Sequence, residues 1–192
     1  MNPIVVVGAG LAGATAVTAL REGGHDGPLV LLGAESHPPY ERPPLSKGYL
    51  LGNDPFESAF VHEPQWYAAH DIDLRTRAFV TDLDLGRKSV SLVDGTEIAY
   101  DKLLLATGSR PRRLPLADDS GVPTAYLRTV EDSDRIRAAF GPGHRIVIIG
   151  AGWIGLEVAA AARTAGTAVT VFEVAELPLL RVLGPRVAQV FA

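Results

Sequence analysis

The chain carries one short module twice, and this duplication constrains its fold more than any other feature of its 192 residues. A β-branched run, Ile4-Val5-Val6-Val7, leads directly into Gly8-Ala9-Gly10-Leu11-Ala12-Gly13. A small-residue helix is expected over 11–22, stopped at Gly23-Gly24, with a second apolar strand over 29–32. The pattern returns as Arg145 to Ile149, then Gly150-Ala151-Gly152-Trp153-Ile154-Gly155, a helix to Ala165, a stop at Gly166 and a strand over 168–172. Continuous apolar strands joined by crossover helices belong to parallel sheets, so the expected fold class is α/β with parallel central sheets. Between the modules, residues 72–100 alternate in the manner of strands, with Asp94-Gly95 as a hairpin signal, and predict an accessory β-meander. Residues 33–58 are irregular and proline-rich, with one short helix expected over 45–51. Another helix is expected to end at His70 after Pro64, and Lys102 to Ala106 reads as a further strand. A Pro- and Asp-rich stretch, 109–123, reads as a linker, and Asp132 to Phe140 as a helix. The expected division is residues 1–110 and residues 111–192.

Each glycine of the module has a mechanical task. The first (Gly8, Gly150) permits a tight turn off the strand, and the second (Gly10, Gly152) lets backbone approach a pyrophosphate. The third (Gly13, Gly155) lets helix and strand pack closely. Phosphates then sit on the free N–H groups and positive dipole end of the following helix. Glu35 lies 22 residues after Gly13, and Glu173 lies 18 after Gly155. Both carboxylates stand where a ribose hydroxyl pair is held. Two such sites imply two dinucleotides, and the simplest pair for two Rossmann-like FAD/NAD(P)-binding segments is a flavin and a nicotinamide, with hydride passing between them. The same glycines also suit a doubly wound fold with tight turns and no nucleotide.

Other classes are excluded by composition. The formal net charge of −4 offers no basic footprint for nucleic acid. Residues 1–20 carry no charged side chain, yet three glycines interrupt the run, Pro3 sits near its start and no positive segment precedes it. No membrane segment is therefore read, and a cytoplasmic location is the default expectation. Cysteine is absent, which excludes disulfides, cysteine-ligated metals and thiol catalysis within this chain. The histidines at 25, 37, 62, 70 and 144 have no ligand spacing, so no metal site is read.

Longer motifs carry a family resemblance. Pro39-Tyr40-Glu41-Arg42-Pro43-Pro44-Leu45-Ser46-Lys47 resembles a signature of FAD-dependent, NAD(P)H-linked ferredoxin and rubredoxin reductases, including the reductase components of cytochrome P450 and aromatic-ring dioxygenase systems. Leu103 to Pro111, Tyr126 to Thr129 and Gly155 to Ala159 resemble further segments of that family, in order along the whole chain. The resemblance implies that Gly8, Gly10, Leu11, Ala12 and Gly13 bind the FAD pyrophosphate and Glu35 the adenosine ribose. It implies that Arg42 faces the FAD adenosine or phosphates, that Lys47 reaches the isoalloxazine ring, and that Val80 meets adenine through its backbone. Ala106, Thr107, Gly108 and Arg128 would line the flavin. Gly150, Gly152, Ile154 and Gly155 would bind NAD phosphates. Trp153 stands where relatives more often have Tyr or Phe, and an aromatic there stacks near nicotinamide or flavin. The implied activity passes hydride from NADH to FAD, then single electrons to a ferredoxin- or rubredoxin-type carrier.

Read as residues alone, several of these positions have plainer meanings. Arg42 and Lys47 read equally as surface charges on a proline-rich loop, Glu157 as an acid favoured by its helix dipole, and Trp153 as packing. Arg110, Arg112 and Arg113 read as a solvated linker or as a greeting to an acidic carrier. An apoptosis-inducing-factor-like NADH oxidoreductase and a non-catalytic dinucleotide-binding fragment are the alternatives. Lys47 and Glu157, each displayed at a cofactor turn, are expected to pair as the catalytic ion pair across the junction of the two segments. Glu173 would repel a 2′-phosphate, and Arg181 is the first cation after it, so NADH is expected over NADPH. The chain itself is expected to be an N-terminal part of a longer enzyme. The second module stops soon after its fingerprint, and Val187 to Ala192 form an apolar run without a cap.

Overall fold

The computed structural model describes residues 2–192, and contacts divide the chain into two compact units. The first comprises the residues up to Glu41 together with Phe56–Ser109. Arg42–Pro55 and Arg110–Ala192 form the second. The excursion 42–55 thus belongs with the second unit, whereas the sequence reading places it with residues 1–110. Its neck is fixed inside the first unit, where Tyr40 bridges Phe60 and the Glu41 N–H donates to the Ala59 carbonyl at 2.8 Å.

In the first unit, β1 (Ile4–Val7) runs into α1 (Leu11–Glu22), and the chain returns as β2 (Leu29–Leu32), parallel to β1. The strands pair in register, Ile4 with Leu29 through Val7 with Leu32. In the second unit, a 3₁₀ turn (Pro43–Ser46) precedes α2 (Gly48–Leu51). The sequence predicts one helix over 45–51. The chain instead breaks at Lys47 (φ −117°, ψ −122°), because its N–H closes the proline-led turn on Pro44 while its carbonyl opens the next helix by accepting from Leu51. Back in the first unit come α3 (Pro64–Ala69), β3 (Ile72–Arg75), β4 (Val80–Asp84), β5 (Ser89–Leu92), β6 (Glu97–Ala99) and β7 (Lys102–Leu105). The meander is smaller than its alternation suggests. Only β4, β5 and β6 form the antiparallel sheet, while β3 joins β2 in parallel and extends the main sheet to the order β3-β2-β1-β7.

The first unit is a three-layer packing. One face of the parallel sheet offers Val5, Val7, Val30 and Leu32 to Val90, Leu92 and Ile98 of the small sheet. The other offers Val6, Leu29 and Leu31 to Val17 of α1 and Tyr67 of α3. All four residues of β2 are buried, as two covered faces require.

In the second unit, α4 (Pro115–Asp118) interrupts the expected linker, and α5 (Val130–Ala138) begins two residues before the sequence reading places it. A capping box sets that start: the Asp132 N–H donates to Thr129 Oγ1, and Asp132 Oδ2 accepts from the Thr129 N–H at 2.9 Å. Then β8 (Arg145–Ile149), α6 (Trp153–Thr164) and β9 (Ala168–Phe172) repeat the module, and α7 (Leu180–Ala188) is followed by a 3₁₀ turn, Gln189–Phe191. The inward side of β8–β9 packs on α6, with Ile148 joining the cluster of Leu50, Val158 and Ala161. On the other side Val147, Ile149 and Phe172 are 59%, 59% and 60% exposed. Among the described residues, no helix is long and apolar enough to cross a membrane.

This asymmetry predicts unequal sensitivity. Leu31→Ala, in the fully covered sheet, should lower stability by about 2–5 kcal/mol. Val147→Ala, on the open face, should change it by less than about 0.5 kcal/mol. Equilibrium urea unfolding of the two variants checks this, and equal losses would contradict the layer assignment.

Candidate functional site

The glycine turn of the first unit is built by close approach. Gly8 adopts φ +114°, and a Cβ there would stand 2.1 Å from the Ala106 carbonyl oxygen. A Cβ at Gly13 would stand 1.9 Å from the Gly8 carbonyl oxygen. Ala106, Thr107 and Gly108 follow β7 and so lie directly against the turn, held by the Ala106 N–H donating to the Val7 carbonyl at 2.8 Å. Above Gly10 a Cβ would meet nothing within 4 Å, and no side chain caps α1 there. Leu11 and Ala12, in the first turn, are exposed. Glu35 follows β2 and accepts from the Tyr40 hydroxyl at 2.5 Å, and Val80 opens β4, half-buried.

The second turn repeats this construction in the other unit. Gly150 has φ +107°, a Cβ at Gly155 would fall 2.1 Å from the Gly150 carbonyl oxygen, and the space above Gly152 is open. Again no side chain caps the helix. Glu173 ends β9 with both oxygens engaged, Oε1 accepting from the Ala175 N–H at 3.0 Å and Oε2 from the Ala151 N–H at 2.8 Å. These backbone hydrogen bonds, led by that from Ala175, hold its carboxyl below the usual range, so it stays ionised beside the turn. In both units an uncapped helix start faces open space, and in the second the Glu173 carboxylate stands beside the turn on the Ala151 N–H. These residues fit the pyrophosphate and ribose of a dinucleotide.

A cavity of about 400 Å³ in the second unit gathers the remaining predicted residues. Arg42, Lys47, Arg128, Trp153, Ile154 and Glu157 all line it. Arg42 donates to the Arg128 carbonyl at 3.0 Å, and the Arg128 N–H donates to Asp132 Oδ2 at 3.0 Å, so the capping box of α5 also positions Arg128. Lys47 Nζ stands 2.9 Å from Glu157 Oε1. The sequence reading has this pair bridge two segments, but both residues belong to one unit. The reason is that the 42–55 segment packs into it through Leu50, and through Tyr49, whose hydroxyl donates to Asp134 at 2.7 Å.

Two participants were not singled out from sequence. Ser46 Oγ donates to Glu157 Oε2 at 2.6 Å, and buried Ser133 Oγ donates to the Leu45 carbonyl at 2.8 Å. A serine beside a lysine in a proline-rich loop carries no periodic signal. Burial of Glu157 opposes ionisation, but the hydrogen bond from Ser46, then the bond to Lys47 and its charge, outweigh it and hold the carboxyl below its ordinary value.

Residues 2–192 match the family described as pyridine nucleotide-disulphide oxidoreductase. The chain belongs to that family. It has no cysteine, so it contributes no disulphide of its own to a family named for one. It is 45% identical, over 100% of its length, to the anthranilate 1,2-dioxygenase system ferredoxin–NAD(+) reductase component of Burkholderia cepacia, of which it covers 47%. It is 42% identical over 96% of its length to the rubredoxin-NAD(+) reductase of Pseudomonas putida, covering 48%. Its fold matches a chain in the crystal structure of the covalent putidaredoxin reductase–putidaredoxin complex with a TM-score of 0.93 and 41% identity, over 99% of this chain and 46% of that one. The chain thus spans about half the length of the curated relatives it matches.

The depressed Glu157 carboxyl predicts a pH signature. Its stabilising share is complete above the ordinary glutamate value of 4.5 and is lost as pH falls through the lower folded value. The stability gap between wild type and Glu157→Gln should be at most about 1 kcal/mol near neutrality, because Lys47 is half exposed. Urea unfolding from about pH 6 down to about pH 3 should show the gap narrowing. A gap independent of pH would contradict the ion pair.

Proposed function

We propose that this chain is the dinucleotide-binding part of an NADH-dependent flavoprotein reductase, binding FAD at the 8–13 turn and NADH at the 150–155 turn. The observation that carries this reading is the repetition, in two units, of an uncapped helix start opening on empty space, with a glutamate following the second strand of each module. The names of its relatives, ferredoxin–NAD(+) reductase and rubredoxin-NAD(+) reductase, support NAD over other nucleotides and a small one-electron carrier as the acceptor. FAD, when bound, supplies the store that takes an electron pair and releases electrons singly.

The roles of the residues follow from their chemistry. The N–H groups at the start of α1, beside Gly10, Leu11 and Ala12, would hold the FAD pyrophosphate, with Glu35 on a ribose hydroxyl. Ala106, Thr107, Gly108 and the Val80 backbone would line the same cofactor. Gly150, Gly152, Ile154 and Gly155 would do for NADH what the first turn does for FAD, with Trp153 offering a half-exposed aromatic face. Lys47 would present positive charge to the isoalloxazine, and Glu157 would anchor that charge. Arg42 and Arg128 would add to the positive field of the cavity wall.

The open space above Gly10 supplies a test that separates ligand from fold. Gly10→Ala meets nothing in the protein, so stability should fall by no more than about 1 kcal/mol, the cost of alanine at a helix N-cap. The added methyl occupies the approach to the pyrophosphate, so FAD affinity of the chain, read by quenching of flavin fluorescence, should fall at least about tenfold. Unchanged affinity would sink the assignment of that turn.

The ionised Glu173 predicts nucleotide preference in the same way. Titration of the chain with each nucleotide should favour NADH over NADPH at least about tenfold, and Glu173→Gln should erode the preference by relieving repulsion of the 2′-phosphate. Equal affinities in wild type would overturn it.

A further inference from the structure

We propose that Ser46 is a positioning residue, whose hydroxyl fixes the Glu157 carboxylate so that Lys47 Nζ is held at the cavity wall. This rests on the reading of Lys47 given above.

The geometry divides Glu157 between two donors, Oε1 to Lys47 Nζ at 2.9 Å and Oε2 to Ser46 Oγ at 2.6 Å. The two donors differ in rigidity. The Lys47 side chain is 55% exposed and has four rotatable bonds, and an ion pair between two flexible side chains near solvent barely fixes either of them. Ser46 is only 6% exposed and its side chain has a single torsion that matters. Its backbone is pinned on both sides, by the buried bond from Ser133 Oγ to the Leu45 carbonyl and by the Lys47 N–H closing on the Pro44 carbonyl at 3.0 Å. A chain of constraint therefore runs from α5 through the 3₁₀ turn to Ser46, from Ser46 to Glu157 on α6, and from Glu157 to Lys47.

Ser46 is the member with a rigid mount, and Glu157 transmits its position. The other cations that line the cavity, Arg42 and Arg128, bring positive charge to the same wall, and Arg42 donates to the Arg128 carbonyl. A lysine with no fixed counter-ion would be pushed from them toward solvent. Holding both oxygens of one carboxylate keeps the ammonium in place against that repulsion.

The test reads the carboxylate itself, on the whole chain with neither dinucleotide present, so its failure is distinguishable from failure of the proposed function. Glutamate carboxyl carbons are labelled with ¹³C, the Glu157 resonance is identified by its loss in Glu157→Gln, and its pH titration is followed by NMR. In Ser46→Ala the proton affinity of Glu157 should rise about three- to tenfold. The Lys47 ε-methylene signals should narrow as that side chain gains freedom. Ser46→Thr, which keeps the hydroxyl, should titrate as wild type does. A Ser46→Ala curve that superimposes on wild type overturns the proposal, as does a Ser46→Thr curve displaced as far as the alanine one. Should the threonine variant fail to fold, the alanine curve alone decides.

Discussion

The constraint on which both modules depend is a glycine set against a backbone carbonyl. At Gly13 and again at Gly155 a single added carbon would fall 1.9 and 2.1 Å from the carbonyl oxygen of the first glycine of the turn. No real side chain occupies such a space. The contact lets each helix start tight against its strand, and from there its first N–H groups open on the space above the second glycine. A negative ligand can meet those groups only because nothing of the protein itself caps them. The phosphate binding proposed for both units would thus follow from packing distance.

The units use the same module in different packing. In the first, the sheet is covered on both sides and β2 is wholly buried. In the second, one side of β8–β9 rests on α6 while the other leaves Val147, Ile149 and Phe172 to solvent. Residues of nearly identical character have different energetic value in the two places, because burial depends on the second layer and is not a property of the strand.

The cavity of the second unit follows a different logic, in which polar contacts fix a charge. The capping box of α5 sets the Arg128 backbone through Asp132, and Ser133 on the same helix ties down the 3₁₀ turn that carries Ser46 and Lys47. Helix α6 contributes Glu157. One short helix therefore anchors two of the three elements that wall the cavity, and its start is decided by two hydrogen bonds at Thr129 and Asp132.

By itself the sequence determined what is local. The duplicated strand–glycine–helix module, the carboxylates at 35 and 173 and the helix over 11–22 are written in spacing and residue type, because a turn this tight admits glycine alone and a buried strand admits only apolar residues. The long motifs containing Lys47 and Glu157 marked both residues as candidates. Only the tertiary structure decided what depends on contacts distant in the chain. Leu50 meeting Val158 and Ala161 drew residues 42–55 into the second unit, and with them Lys47 to Glu157. Ile72–Arg75 became an edge of the parallel sheet because its backbone found β2, which alternation alone does not specify. Ser46 gained its part because a rigid hydroxyl happened to face a carboxylate 111 residues away, and no periodicity encodes such a meeting.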